Sequence, residues 1–523
     1  MKKNLLALLA ISVVLAAADN EKFIVELEKT TVTAQKFETN VRETSKNVTV
    51  ISEDEIKKSG AKSVVDLLKT VPGLFVGTGF GSGTVDFRGQ GESAKNNVLV
   101  LVNGVSINTI DMAGPDFSII DVSNIESIEI IPSGGVVYGD KAVGGVINII
   151  TKSEGSSVKL ETGSFGYETF GANINERIGD FAIHTDFSRT LKDGYRNNSN
   201  FRKDNFGLGL GYDINENNRI KFDYAYNESD MNYAGSLTEA QLTEDRAQVG
   251  SKSSIFSKKN SYSLAYIYDK DNLNIENTTS YNQKNSDYDY SGYKYGTINS
   301  YLNNNFKVKY NYKNNSLISG IDVSEGNSKT DGTNKITKNQ LGIFALNNYK
   351  IDEKLSASLG YRYETLKLKY NNLNDEKTSN QNLFSTGINY LYSDTGSVYA
   401  SFEQNYRTPV TDEYTYGTSD LKSQLSNTLE LGMREYIGNT YLTASIFNTI
   451  TENEIYLNPA VGYVGTNENI DGNTERNGLE LSTKNYVGEF TISQAYTYLN
   501  AKIKDGVYEG KTIPWVPKNK YSI

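Results

Sequence analysis

Leu355-Ser356-Ala357-Ser358-Leu359-Gly360-Tyr361-Arg362-Tyr363 sets Leu, Ala, Leu, Tyr and Tyr at alternate positions, with Ser, Ser, Gly and Arg between them. A period of two sends successive side chains to opposite faces, so the stretch reads as a β-strand with one apolar and one polar face. Ile220, Phe222, Tyr224 and Tyr226 alternate in the same way with Lys221, Asp223 and Ala225. Phe206, Leu208, Leu210 and Tyr212 alternate with glycines, and Tyr262, Leu264, Tyr266 and Tyr268 with small residues. A soluble sandwich needs bulky aliphatics on its inner face, yet here 37 Tyr outnumber 20 Phe and crowd the strand ends. Amphipathic aromatics at strand ends suit two water–lipid interfaces, and small or charged residues suit a wet lumen. In lipid every backbone donor and acceptor must be paired, which a sheet achieves by closing on itself. The expected fold is an all-β transmembrane antiparallel barrel.

Composition excludes the main rivals. With 37% apolar residues in 523 and a mean hydropathy of −0.49, the chain has no set of apolar runs of about 20 residues, so a helical transporter is ruled out. A formal charge of −10 opposes sequence-independent nucleic-acid binding, which needs a basic surface; no nucleic-acid partner is expected. Zero Cys removes disulfide scaffolds, thiolate zinc sites and cysteine-ligated Fe–S clusters. One His, His184, sits on the polar face opposite Phe181, Ile183 and Phe187, without the second ligand that haem usually wants or a nucleophile elbow beside it. No enzyme, catalytic residue, cofactor or metal site is expected. Lys2 and Lys3, the apolar run Leu5 to Leu15 and the small exit Ala16-Ala17-Ala18 lay out a secretory signal peptide over residues 1–18, cleaved before Asp19.

Up to Thr151 the pattern is different. Ser52-Glu53-Asp54-Glu55 has capping-box spacing and Gly60 would stop the helix it starts, while Ser63 to Val71 reads as a second helix ended by Pro72-Gly73. Strand-like stretches follow at Thr84 to Phe87, Asn97 to Val102, Ile125 to Ile131 and Val143 to Thr151. These make a small mixed α/β domain with its own core. The series Gly77, Gly79, Gly81, Gly83 invites comparison with a dinucleotide loop, but no helix follows to hold a phosphate.

These residues resemble the plug domain of TonB-dependent outer-membrane receptors. The likeness runs through Lys46-Asn47-Val48-Thr49-Val50-Ile51-Ser52, Asp66-Leu67-Leu68 with Val71-Pro72-Gly73-Leu74, Phe87-Arg88-Gly89, Val98 to Val105 and Ile125 to Ile131. It is most specific at Tyr138-Gly139-Asp140-Lys141-Ala142-Val143-Gly144-Gly145-Val146-Ile147-Asn148-Ile149-Ile150-Thr151. Weaker matches lie at Asn405 to Pro409, Leu429-Glu430-Leu431-Gly432, Asn477-Gly478-Leu479-Glu480 and Ile513 to Pro517. Asn103 and Ile131-Pro132 stand where many members carry Asp and an Arg-Gly pair, so family salt bridges at those positions are not assumed.

The resemblance implies a plug over residues 41–152 inside the lumen of a barrel over 153–523, with a periplasmic segment over 19–40. Within that segment, Glu28, Lys29, Thr30, Thr31, Val32, Thr33 and Ala34 resemble the TonB box, a segment that adds as a strand to the TonB C-terminal domain, energised by the ExbB/ExbD complex. The ten or so residues before it leave no room for a signalling domain. By position, the plug loops Gly77 to Thr84 and Asn108 to Asp116 face the ligand, with Phe80, Ser82, Asn108, Thr109, Asp111 and Met112 as candidate contacts. Arg88, Gly89, Tyr138, Gly139, Gly144 and Gly145 are the plug's family residues. The implied cargo is a metal chelate, a ferric siderophore first, then cobalamin, then haem. Other implied partners are outer-membrane lipid and the barrel assembly machinery of a Gram-negative cell. A passive porin would share the strands but has no use for a plug or a box. The run Ser286-Asp287-Tyr288-Asp289-Tyr290 is a solvated loop or an oxygen-ligand calcium site.

Barrels of this family have about 22 strands of roughly 9–11 residues each. The 372 residues after Thr151 (523 less 151) hold that many only with short connections throughout, and the visible connections are longer. The chain also stops at Ile523 without the terminal aromatic used in barrel assembly. The expectation is a truncated chain with about 16 to 18 strands and a gapped wall; Ile523 paired with the first strand near Val158 would contradict it.

Overall fold

A computed structural model describes residues 31–32, 36–37, 39–77, 83–332, 335–370, 375–415, 417, 421–459 and 465–523. Among them, an antiparallel sheet of 18 strands runs in chain order from Ser157–Gly163 to Asn519–Ser522. A small hairpin, Ile455–Asn458 with Thr466–Asn469, branches from one connection. Two-residue turns at 179–180, 216–217, 271–272, 313–314, 438–439 and 488–489 join strands at one rim. The longest connections, residues 234–252, 408–423, 453–473 and 504–518, all lie at the other. In outer-membrane barrels the short turns are periplasmic and the long connections extracellular.

The alternation seen in the sequence becomes an inverted protein. Leu359, Tyr361 and Tyr363 stand exposed on the outer face while the alternating Arg362 and Glu364 are buried. Arg362, Arg407 and Arg476 are the largest fully buried side chains, and exposed Phe170, Ile174, Leu210, Phe222, Leu264, Leu431 and Ile446 line the outside. Such a surface is stable only against hydrocarbon. The strands Ser253–Lys270, Leu273–Tyr290 and Tyr293–Tyr312 have 18, 18 and 20 residues. At about 3.3 Å per residue they outreach the hydrocarbon layer and end in water.

The wall curls around a separate α/β unit. Its five-stranded sheet has the order Thr49–Ser52, Ile125–Ile131, Gly145–Thr151, Val98–Val102, Val105–Ser106, with Gly145–Thr151 parallel to Val98–Val102 and the other pairs antiparallel. A core of Leu67, Leu68, Leu74, Phe87, Val100, Ile128 and Ile147 belongs to this unit alone. A second cluster packs its Val48, Leu99, Ile131 and Val136 against Ile318, Phe344, Leu346 and Leu383 of the wall. Ion pairs and hydrogen bonds reach it from the first wall strand (Lys159 Nζ to Asp121 Oδ1, 3.6 Å) round to the last (Lys520 Nζ to the Val71 carbonyl, 2.9 Å). A unit touched from both ends of a curled sheet lies in its bore.

The helix Glu53–Ser59 starts at a complete capping box on Ser52, Glu55 returning to the Ser52 amide at 2.9 Å, and ends at left-handed Gly60. The expected helix from Ser63 to Val71 is shorter, Val64–Leu68. Its end tightens into a turn in which the Lys69 amide bonds the Asp66 carbonyl and the Val71 amide the Leu68 carbonyl, before Pro72 removes the next donor. The strands at Val98–Val102 and Gly145–Thr151 begin one and two residues later than expected. No ladder joins Ser157–Gly163 to Asn519–Ser522 among the described residues, and plug residues lie between those edges: Lys62 pairs with Glu161 (2.8 Å) and Ser522 Oγ donates to the Thr70 carbonyl (3.2 Å).

Candidate functional site

Phe87-Arg88-Gly89 leaves the hairpin strand Thr84–Phe87 and turns Arg88 into the wall. The turn is held by buried Asp86, whose carboxylate accepts from the Gln90 and Gly91 amides at 2.6 and 3.1 Å. Burial lifts that carboxyl to about 6 although both amides oppose the shift. Arg88 grips Glu480 through two bonds (2.9 and 2.8 Å) and Glu430 through a third (2.7 Å), and its guanidinium lies 3.9 Å from the Phe447 ring centre. Tyr399 donates to Glu430 at 2.6 Å. All three charged side chains are almost wholly buried, where charges persist only when paired and hydrogen-bonded. The sequence resemblance marks the segments that carry Glu430 and Glu480 without their role. The available signal was a carboxylate on the lumenal face of an otherwise apolar strand.

The closing plug segment makes a second anchorage. Asp140 accepts from Lys338 Nζ (2.7 Å), the Thr408 amide (2.8 Å) and the Thr408 hydroxyl (2.9 Å). Burial alone would raise this carboxyl, but Lys338 and Lys141 outweigh it and hold it below the usual range. Gly139 has φ 71 and ψ −135, and a Cβ there would sit 2.7 Å from the buried Arg362 guanidinium, so glycine is required. Gly145 has φ 128, and a Cβ would meet the Ile131 carbonyl at 2.6 Å. Tyr138 is buried under Lys36. The Gly144 amide donates to the Asn97 carbonyl (2.7 Å), and the Gly89 carbonyl accepts from Arg476 Nε (2.8 Å). Lys46 pairs with Glu403 at 3.1 Å, and Arg434 donates to the Val41, Thr44 and Lys46 carbonyls.

The two ends of the plug face opposite rims. Glu43 pairs with Lys350 (3.0 Å) and Arg42 donates to the Asp394 carbonyl, both beside the short turns. The loop after Val105–Ser106 meets the long-connection rim. There the Thr411 amide donates to the Ile110 carbonyl (3.0 Å) and the Met112 amide to Asp412 Oδ2 (3.3 Å). Burial, and then the charge of neighbouring Asp111, raises the Asp412 carboxyl to about 7.

Among the candidate ligand contacts, Thr109 lines a small cavity between plug and wall. Asn108 is buried with its amide in use, Oδ1 accepting from the Val100 amide (2.7 Å) and Nδ2 donating to the Val98 carbonyl (2.9 Å). Asp111 is buried, bonded to Asn299 of the wall, and the Met112 backbone is tied to Asp412. Phe80 and Ser82 lie outside the described residues, as do the signal peptide and Glu28, Lys29, Thr30, Thr33 and Ala34 of the candidate box. Thr31–Val32 forms a two-residue ladder with Thr39–Asn40. His184 faces the plug, with Nε2 3.4 Å from Asn124 Nδ2 and 3.0 Å from Asp186 Oδ1. Asn103 holds a plug turn, its Oδ1 accepting from the Thr151 amide at 3.0 Å. No group of three or more metal-ligating side chains occurs among the described residues.

A curled outer-membrane-type sheet with an ion-paired plug in its bore is the architecture of a plugged outer-membrane receptor. A family model described as TonB dependent receptor-like, beta-barrel matches residues 153–523, and one described as TonB-dependent Receptor Plug Domain matches residues 40–146. The chain belongs to the TonB-dependent receptors, a family of outer-membrane β-barrel receptors and transporters, not enzymes. It is 28% identical over 486 residues to a vitamin B12 transporter BtuB of Vibrio vulnificus strain CMCP6, covering 89% of this chain and 72% of that protein. A BtuB of Photobacterium profundum is 30% identical over 253 residues, 45% of this chain and 41% of that protein. In three dimensions it is similar to the unliganded ferric citrate transporter FecA (TM-score 0.77, 18% identity, 92% of this chain and 82% of that one). It is also similar to BauA, the ferric preacinetobactin receptor of Acinetobacter baumannii (TM-score 0.77, 16% identity, 94% and 84%).

Proposed function

We propose that this receptor imports a scarce metal complex, a ferric siderophore, across the outer membrane, using the inner-membrane proton motive force delivered by TonB with ExbB/ExbD. The observation that carries the reading is the opposed placement of the plug's ends. Arg42 and Glu43 meet the wall at the short-turn rim, while the 107–116 loop meets the long-connection rim. Cargo and pull therefore arrive from opposite sides. An outer membrane has no nucleotide supply, so concentrating a solute across it needs work done from below. On this reading residues 1–18 are removed on export, Glu28 to Ala34 form the handle, and the loops holding Phe80, Ser82, Asn108, Thr109, Asp111 and Met112 surround the ligand. Cobalamin is the second reading, favoured by the BtuB relatives. The test is uptake of labelled ferric siderophores and labelled cyanocobalamin by cells lacking their own receptors, with and without this gene, in tonB-positive and tonB-deleted hosts. Gene-dependent accumulation of an iron chelate that disappears without TonB is expected. Accumulation of cobalamin alone would move the cargo to the second reading, and uptake that survives loss of TonB would make the protein a passive channel.

A further inference from the structure

We propose that Lys259 and Lys284, on the lumenal wall beside the plug loop, bind an oxyanion group of the cargo, so that this receptor selects an anionic chelate over a neutral one. The inference rests on the import reading above and names the chemistry of its ligand. Lys259 and Lys284 are direct cross-strand partners, with Asn227 and Asn299 flanking them in the same row. Like charges directly opposite on a sheet are destabilising, and the fold retains them without a direct partner. Neither ammonium makes a hydrogen bond or ion pair among the described residues, and both side chains are half-buried.

Lys203 joins them around a cavity of about 30 Å³, closed on the plug side by Thr109, Gly114 and Asp116. That volume admits one or two water-sized groups, so it receives a single oxygen-bearing substituent while the rest of a chelate stays above. The acidic groups nearby are otherwise engaged. Glu228 binds Arg202 and Tyr226 (2.7 Å to the phenol) on the outer face. Asp116 accepts from the Ser118 amide (3.0 Å) and hydroxyl, with Lys203 Nζ at 3.7 Å. Three ammoniums, Lys203, Lys259 and Lys284, therefore line the cavity against Asp116 and Glu228, an excess of one positive charge. Above, on the same lumenal side as Lys284, Tyr288 and Tyr295 stack with ring centres 4.8 Å apart and planes 12° apart. Flat rings over a cationic floor suit a chelate that carries carboxylates or phenolates.

The test follows the thermal midpoint of the purified full-length protein in detergent, titrated at fixed ionic strength with citrate, inorganic phosphate or cyanocobalamin. Wild type is compared with the double variant Lys259→Gln/Lys284→Gln and with Lys258→Gln, which removes one positive charge from the other face of one of the two strands. Citrate or phosphate should raise the midpoints of wild type and Lys258→Gln, and the double variant should need about tenfold more anion, the equivalent of one charge-assisted bond. The larger of the two responses separates a carboxylate from a phosphate ligand. Without anion the double variant should be at least as stable as wild type, because the like-charge contact is gone. Equal anion responses in all three proteins, or none in wild type, would overturn the site. Uptake is scored separately in cells, so TonB-independent uptake would sink the import reading and leave the anion result standing.

Discussion

Replacing Arg88 with methionine should loosen the plug by about 3–5 kcal/mol, the usual cost of removing one partner from a buried ion pair. Glu430 and Glu480 would keep their places in the wall and lose the guanidinium that makes three bonds to them. Methionine retains much of the aliphatic stem and the contact with Phe447, so loss of packing contributes little. Amide exchange at Thr84–Phe87 should accelerate and a protease should reach the turn at Gly89, while the outer wall keeps its protection. Adding Glu430→Gln and Glu480→Gln should recover most of the docking, since the uncompensated charges are then gone. Unchanged exchange in Arg88→Met would mean that the plug is held elsewhere, by Asp140 with Lys338 and by Lys46 with Glu403.

Deleting Glu28 to Ala34 should reduce energised uptake to background while ligand binding to the cell surface stays at the wild-type level. The box is proposed as a handle, and the groups that pin the plug begin beyond it: Lys36 with Asp322 (3.1 Å), Arg434 with the Val41 to Lys46 backbone, Arg88 with its two glutamates. Removing it costs the two-residue ladder of Thr31–Val32 with Thr39–Asn40 and leaves these anchors in place. A peptide of residues 26–36 should compete for the TonB C-terminal domain, and Val32→Pro should weaken that competition because proline withdraws a ladder donor. Uptake that survives the deletion would place the handle elsewhere.

Much of the architecture was legible because local rules decide it. Alternation gives each strand its lipid and lumen faces, and the capping box at Ser52 with Gly60 bounds a helix that the fold reproduces as Glu53–Ser59. The motif glycines of the plug find direct steric reasons in Arg362 and the Ile131 carbonyl. The Ser63 helix ends earlier than its sequence suggests because the turn at Lys69 to Val71 competes with helical continuation, and its outcome depends on how Val71 and Leu74 pack in the plug core. The partners of Arg88 were out of reach because they lie 342 and 392 residues away. The lysine row was hidden for a related reason. Which lysine opposes which depends on strand register, which the single two-residue turn at 271–272 sets, and moving that turn by one residue changes every pair along the hairpin. Asn108, a candidate ligand contact from its sequence position, has a second duty visible in the fold alone, its amide bonding the Val98–Val102 backbone.

The most direct measurement exploits the absence of cysteine from the sequence, which makes an engineered pair the sole disulfide. Ser45 of the plug and Ser358 of the wall have their hydroxyls 3.4 Å apart, and any force applied at residues 28–34 must pass Ser45 to reach the rest of the plug. Ser45→Cys/Ser358→Cys should bind cargo when oxidised yet show no TonB-dependent uptake, and reduction should restore uptake to the level of the single variants. Undiminished uptake by the fully oxidised protein would contradict a plug that is drawn from the periplasmic side.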